Sequence, residues 1–303
     1  MDVPGLTPLA GGWSGETFLA EAGGERTVVR IYTPGRRDDA APEIDASVLR
    51  LVRGLVPVPD VLEVRRGSAA ADQPGLLVTA HLAGDRGDLV LPDLDRAGLA
   101  SLGARLGTIA ADLSGMPTLR AGRFLDASLT VGDFGVTGDL PGFVAESLSG
   151  PAWPADRLIS LTRLAERAQD LSDTVGRTCL VHSDLNPKNL LVDRATLTVT
   201  GVLDWEFAHA GHPFTDLGNL LRFDRHPVYV EAVLRAWCER RGGSPEEALD
   251  LARAADLWAL VDLASRAGDN PVADRAAGLL TAIAESGDLH AVPAGWTHRG
   301  APA

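Results

Sequence analysis

The sequence predicts an α+β protein of two lobes, a small sheet carrying one helix followed by a larger, mainly helical part. Three observations carry this expectation. Residues 11–63 alternate turn signals with short runs of β-formers around a single helical stretch. From Leu99 onward, apolar residues recur at helical spacing. Between 179 and 206, short apolar runs enclose polar loops. At 303 residues the chain is long enough for two compact cores.

Gly11-Gly12-Trp13-Ser14-Gly15 is a tight glycine-rich turn. It leads into a strand over 16–20, and Ala22-Gly23-Gly24 turns the chain back into a partner strand over 27–32. Ile44, Val48, Leu49, Leu51 and Val52 lie along one face of a helix predicted over 42–54, which Pro57-Val58-Pro59 breaks. Two further strands follow at 60–64 and 75–81. Leu99, Leu102, Leu106, Ile109 and Leu113 mark a long helix. Residues 115–155, rich in Gly, Pro and Asp, are expected to be irregular, a lid or substrate-side insertion. Helical patterning returns at 158–171, 228–241, 245–266 and 272–285, and the end from His290 is expected to fray.

Composition narrows the function. The chain is 45% hydrophobic and 23% charged, with 28 basic against 41 acidic residues and a net charge of −13. An acidic surface disfavours nucleic acid and anionic membranes, whose phosphates demand basic groups, and is compatible with a cationic small substrate. No apolar run approaches the roughly 18 residues of a membrane span, and no signal-peptide pattern opens the chain, so a cytoplasmic location is expected. Cys179 and Cys238 have no metal-type spacing and are expected to be buried free thiols. His209, His212 and His226 have no ligand spacing either, so no zinc site is expected. Lys188 is the only lysine and there are four asparagines; the lysine and two of the asparagines fall in one short loop.

That loop is His182-Ser-Asp184-Leu-Asn186-Pro-Lys188-Asn189, held between the apolar runs ending at Val181 and beginning at Leu190. A second apolar run, from Val199, ends in Asp204-Trp205-Glu206. Phosphoryl transfer needs these residue types together. One carboxylate orients the acceptor hydroxyl and receives its proton, while amide and carboxylate oxygens hold Mg²⁺, a hard ion. The Asp184-to-Asn189 spacing equals that of the kinase catalytic loop.

With Leu203-Asp204-Trp205-Glu206 and Asp216-Leu-Gly downstream, the chain resembles the aminoglycoside phosphotransferase family, which also contains choline, homoserine and macrolide kinases. The resemblance spans roughly 11–265 and is sharpest over 179–219. It implies a bilobal protein-kinase-like fold, with an ATP-binding lobe over 1–82, a catalytic and substrate-binding lobe over 83–303, and an adenine hinge near Thr79–Leu82 that includes Ala80 and His81. Position by position, it makes Asp184 the catalytic base and Asn189 and Asp204 the Mg²⁺ ligands. His182 would orient the loop and Asp216 would brace it. Asn186 either contacts the transferring phosphate or is structural, and Lys188 either places an ammonium near the phosphates or is an exposed loop residue. Gly12, Ser14 and Gly15 would cover the phosphates with backbone N–H groups. Arg30 would replace the usual phosphate-binding lysine, with Asp45 as its helix partner and Glu43 as competitor. Asp133-Phe134-Gly135 spells the kinase metal motif but precedes the catalytic loop, so it is a decoy.

The implied reaction is ATP- and Mg²⁺-dependent phosphorylation of a hydroxyl on a small, cationic acceptor. An antibiotic leads, an aminoglycoside or a basic cyclic peptide such as capreomycin or viomycin, which would make the protein a resistance enzyme. The rivals are a metabolite kinase for choline, homoserine or a sugar, and a catalytically inactive nucleotide-binding module. Asp133, Asp139, Glu146, Glu206 and Asp262 are the carboxylates expected to meet substrate ammonium groups. Monomer and homodimer remain open.

Overall fold

The computed structural model describes residues 6–9, 16–134 and 138–296. The first lobe is a five-stranded antiparallel sheet with spatial order β1-β2-β3-β5-β4: β1 Leu6–Pro8, β2 Glu16–Ala22, β3 Glu25–Tyr32, β4 Val61–Arg65 and β5 Gly75–Ala80. Phe18 pairs with Val29 and Arg30 with Leu77, which sets the register of the three central strands β2, β3 and β5. Helix α1 (Ala41–Val52) joins β3 to β4. Its second residue is Pro42, whose fixed φ suits the first turn, and Glu43 complements the dipole there. Beyond Val52, Arg53 is extended and Gly54 adopts φ 85°, a conformation that favours glycine and ends the helix. Ala46, Val48, Leu49 and Val52 are buried together with Tyr32 and Leu77.

The second lobe is built on helices: α2 Gly87–Val90, α3 Arg96–Ser114, α4 Leu140–Ser147, α5 Ala155–Asp173, α6 Thr215–Leu221, α7 Pro227–Arg241, α8 Pro245–Ser265 and α9 Pro271–Ser286. Asp95 caps α3 through Gly98 N–H (2.8 Å), and Ser244 caps α8 through Glu247 N–H (3.2 Å). α3 lies along α7 so closely that a Cβ at Gly107 would collide with the Val233 carbonyl. The stripe Leu99, Leu102, Leu106 and Leu113 is buried in that interface, each side chain contributing roughly 1.5–3 kcal/mol by leaving water. A second core joins α4, α5, α8 and α9 around Leu161, Leu164, Leu257, Leu279 and Leu280.

Two small sheets carry the loops between these helices. β6 (Asp85–Arg86), β11 (Leu190–Val192) and β12 (Val199–Val202) form one, in the order β12-β11-β6. β7 (Pro117–Thr118), β8 (Gly122–Phe124), β9 (Val131–Gly132), β10 (Thr178–Val181) and β13 (His209–Gly211) form the other, in the order β7-β10-β13-β8-β9. The segment 115–155 therefore departs from the irregular insertion expected of it. It holds three short strands and α4, because β7 finds β10 and β8 finds β13, partners too distant in sequence to be seen locally. Cys179 is buried and free, its thiol pKa pushed up to about 12 by burial. Cys238 is also free but only half-buried, short of the full burial expected. Among the described residues no helix is long and apolar enough to cross a membrane.

Candidate active site

The loop from β10 to β11 is fixed from below by buried polar groups. Asp216, on α6, accepts the backbone N–H of His182 (2.9 Å) and of Ser183 (2.8 Å). Burial pushes the Asp216 carboxyl above its usual range, against the opposing pull of His182 and these two amides. Asn219, one turn further along α6, accepts from Leu185 N–H (3.2 Å) and donates to Asp256 on α8 (3.0 Å). Asp256 is in turn paired with buried Arg222 at 2.6 Å. His182 takes Asp184 N–H on Nδ1 (3.2 Å), so its Nε2–H donates to the Leu203 carbonyl (2.8 Å), and its ring lies 4.5 Å from that of Trp205. It thus positions both loops, as expected of it. Ser183 and Asp204 sit at φ 68° and 62°, each costing a non-glycine residue roughly 1–2 kcal/mol. The hydrogen bonds around them hold these conformations in place.

Asp184 is half-buried, and its carboxylate is held on both sides by amides. Asn186 Nδ2 donates to Oδ1 and Asn189 Nδ2 to Oδ2, each at 2.7 Å. Asn186 Oδ1 accepts Lys188 N–H (3.0 Å), capping the short 3₁₀ turn Pro187–Asn189. Because both partners of Asn189 Nδ2 are acceptors, its Oδ1 is the atom turned away from Asp184. Leu203 N–H donates to the Asn189 carbonyl (2.8 Å), which ties the start of the Asp204 turn to this loop. One amide oxygen and one carboxylate on adjoining strand ends suit a hard, oxygen-seeking cation such as Mg²⁺. No cluster of three His, Cys, Asp or Glu side chains occurs among the described residues, so any such cation would take its remaining oxygens from ligand or water. Lys188 is half-buried, and its ammonium has no carboxylate partner among the described residues.

The first lobe supplies the opposite wall. Arg30, on β3, reaches Asp204 Oδ1 (2.8 Å) and Glu206 Oε2 (2.6 Å). Burial would lower its pKa, but Asp204, Tyr32 and Glu206 outweigh it and hold the guanidinium charged. Asp45 and Glu43, the two expected partners, go elsewhere: Asp45 pairs with Arg37 (2.8 Å) and Glu43 with Arg66 (3.0 Å). The reason is reach, since Arg37 enters from the loop just before α1 and covers the helix carboxylate first. Tyr32 donates its hydroxyl to Asp45 (2.7 Å), and burial together with Asp45 raises the phenol pKa. In the segment expected to form the hinge, Ala80 N–H donates to the Asp60 carbonyl (2.9 Å) and His81 N–H to the Arg26 carbonyl (3.3 Å). Both amides are thus engaged within the protein, which leaves their carbonyls as the groups that could meet a base. Gly12, Ser14 and Gly15 lie outside the described residues.

The acidic residues expected to meet a substrate are mostly committed. Glu206 is nearly buried against Arg30, Asp139 caps α4 through Gly142 N–H (2.9 Å), Asp133 lies 3.7 Å from Arg120, and Asp262 pairs with Arg266. Glu146 is exposed. Glu206 is therefore engaged by Arg30 and offers little carboxylate surface to a substrate ammonium group. Asp133 is highly exposed just beyond β9; Gly135 of the same tripeptide lies outside the described residues. Beside the catalytic strand, Phe134 and Phe207 are exposed, and Phe134 stands edge-on to His209 at 5.1 Å.

Sequence reasoning missed Arg37, Tyr32, Asn219 and Asp256. A signal existed for Asn219, one of only four asparagines, three residues after Asp216. For Arg37 and Asp256 none existed, because each acquires its partner only through the tertiary fold.

The model of the phosphotransferase enzyme family matches residues 5–253. Aminoglycoside phosphotransferase APH(4)-Ia superposes with a TM-score of 0.65 at 19% identity, covering 93% of each chain. A thermostable mutant of it in ternary complex with ADP and hygromycin B gives 0.62 at 19% identity, covering 93% of this chain and 94% of that one. A microcompartment-associated aminopropanol kinase gives 0.63 at 22% identity over 94% of each chain. A 95-residue stretch is 30% identical to acyl-CoA dehydrogenase family member 11 of Mus musculus, covering 25% of this chain, and the Rattus norvegicus protein matches equally. The chain spans about 12% of the length of these curated relatives. The family match runs through both lobes and takes in Arg30, Arg37, Asp45, the 182–189 loop, Asp204 and Asp216: the chain belongs to the phosphotransferase enzyme family.

Proposed function

We propose that the protein transfers the γ-phosphate of ATP to a hydroxyl of a small molecule, with Asp184 as the general base. The observation that carries this reading is the Asp184 carboxylate, each oxygen held by a separate side-chain amide and the whole loop anchored on Asp216. So oriented, Asp184 accepts the hydroxyl proton as the acceptor oxygen bonds to the γ-phosphorus and the bond to the β-phosphate oxygen breaks, releasing ADP. Asn186, already engaged by Asp184 and by the 3₁₀ turn, orients the base. Lys188 and Arg30 supply positive charge on the phosphate side. Asn189 Oδ1 and Asp204 are the groups that would hold Mg²⁺, and the chemistry it supplies when bound is neutralisation of the triphosphate charge.

For the acceptor, a cationic hydroxylated compound is the finer reading. The acidic excess of the chain supports it, as does the hygromycin B bound by a structural relative. Exposed pairs such as Asp262–Arg266 exchange partners at little cost, since pairs of this kind are worth about 0–1 kcal/mol. The test is ATP turnover against cationic, neutral and anionic alcohols at rising salt. Cationic acceptors should be phosphorylated, with a KM that climbs steeply as charge is screened. Turnover restricted to neutral or anionic alcohols would replace this acceptor class with a metabolite-kinase one, and no turnover with any alcohol would remove the phosphotransferase reading itself.

A further inference from the structure

In protein-kinase chemistry a strand cation and a helix carboxylate must be paired for the metal loop to be correctly placed. In this chain the two tasks of that cation are divided. Arg30 faces the carboxylates of Asp204 and Glu206, while Arg37 takes the α1 carboxylate. The Arg37 fork is used on two sides. Nη1 and Nη2 hold Asp45 Oδ2 and Oδ1 at 2.8 and 3.2 Å, a bidentate pair, and Nη2 also donates to the backbone carbonyl of Glu206 at 3.1 Å. That carbonyl is two residues from Asp204. The Tyr32 ring lies under both guanidinium groups, 5.4 Å from Arg30 and 5.6 Å from Arg37, and its hydroxyl closes the network on Asp45. Asp45 is 5% exposed and Arg37 21%, so water screens this network far less than it does a surface pair.

We propose that Arg37 is a positioning residue that locks α1 to the Asp204–Glu206 turn, so that the helix and the metal-side carboxylate move as one body and Arg30 serves the phosphate side. The proposal rests on the phosphotransferase reading. A bland alternative is that Arg37 only neutralises the buried Asp45. The two differ in what lysine and a neutral pair can do. A lysine restores the charge but, as a point donor, cannot hold a carboxylate on one side and a carbonyl on the other. Replacing both partners with their uncharged amides removes the charge problem without restoring the link.

The experiment compares wild type with Arg37→Lys, Arg37→Gln and the double variant Arg37→Gln/Asp45→Asn. Its readouts are the melting temperature and the Mg²⁺ concentration that gives half-maximal binding of a non-hydrolysable ATP analogue in calorimetry, which needs no acceptor. Arg37→Gln should lower the melting temperature, and the double variant should recover most of that loss. All three variants should need roughly tenfold more Mg²⁺, the effect of losing one charge-assisted hydrogen bond. Where an acceptor is known, kcat should fall with little change in acceptor KM. A wild-type Mg²⁺ requirement in Arg37→Lys, or its return in the double variant, would overturn the proposal and leave Arg37 a neutraliser of Asp45. If wild type binds the analogue but phosphorylates no alcohol, the enzymatic reading falls while the Arg37 coupling is still decided by binding. If wild type binds no nucleotide, both fall.

Discussion

The catalytic loop 182–189 and the segment 115–134 border one another through β10, β13 and β8, yet they are built in opposite ways. In the loop almost every polar group has a partner within five residues or on the single helix α6. In the flanking segment, β7 and β8 depend on strands far along the chain, β9 pairs only with β8, and Leu119, Leu125 and Phe134 are left exposed. Tight local satisfaction suits a group whose position must hold through every turnover. An exposed apolar rim suits a surface that receives different shapes. The contrast teaches that two adjoining regions rest on different interactions, so each can be broken alone.

The largest expected effect is in the loop. Asp184→Asn retains the shape of the side chain but cannot take up a proton, and one of its two accepting oxygens becomes a donor facing Asn186 or Asn189 Nδ2. Turnover should fall by about 10²–10⁴. Binding of the ATP analogue should change far less, since the Asp184 backbone carbonyl still holds Asn189 Nδ2 at 2.9 Å. A variant with near wild-type turnover would show that the base lies elsewhere and that the loop's rigidity serves another end.

Next comes the foundation of the loop. Asp256→Ala leaves Arg222 buried without its carboxylate and strips Asn219 of its acceptor. Removing one partner of such a pair costs about 3–5 kcal/mol, to be read from the denaturant midpoint. The apolar double variant Asp256→Leu/Arg222→Met should regain much of that stability. Its kcat should stay depressed, because Asn219 would still lack the bond that orients it toward Leu185. Full recovery of both would show that the loop needs only a packed α6, not a directed one.

Legibility in the sequence follows the same division. Helices α3, α5, α7, α8 and α9 declared themselves through apolar residues every three or four positions, while the starts of α7 and α9 fall one residue earlier than expected, on Pro227 and Pro271. The catalytic loop was readable because its partners are near in sequence and its residue types are scarce in this chain. β7, β8 and β9 were not, because strands of two or three residues carry no period, and the register of β7 and β8 is written in β10 and β13, with β9 following β8. The partner of Asp45 was misassigned for a related reason. Periodicity places Asp45 on the buried face of α1, but whether Arg30 or Arg37 reaches it depends on how the 33–40 loop crosses the Asp204 turn, a tertiary fact.

The smallest expected effect tests the border itself. His209 pairs with Val181 on the catalytic strand, stands edge-to-face with Phe134 on the other side, and hydrogen-bonds through Nδ1 to the Phe207 carbonyl. Burial lowers its pKa below the usual histidine value of about 6.5, with the Phe207 bond and Asp216 opposing. His212, just beyond the end of β13, is lowered for the same reason. A group with a depressed folded pKa contributes stability that is complete above its unfolded pKa and is lost as pH falls through the folded value. The chain should therefore lose melting temperature as pH falls from neutral into the mildly acidic range, beginning near the unfolded histidine pKa of about 6.5. His209→Gln and His212→Gln keep a polar side chain without the titration, and each should show a smaller loss across that interval than wild type. The carboxylates common to all three proteins cancel in this comparison. Because His209 touches both regions, its protonation should also raise the acceptor KM before it alters nucleotide binding. Equal pH slopes in wild type and both variants would mean that the two histidines are solvated well enough to charge freely, and that the border between chemistry and selectivity is softer than its packing indicates.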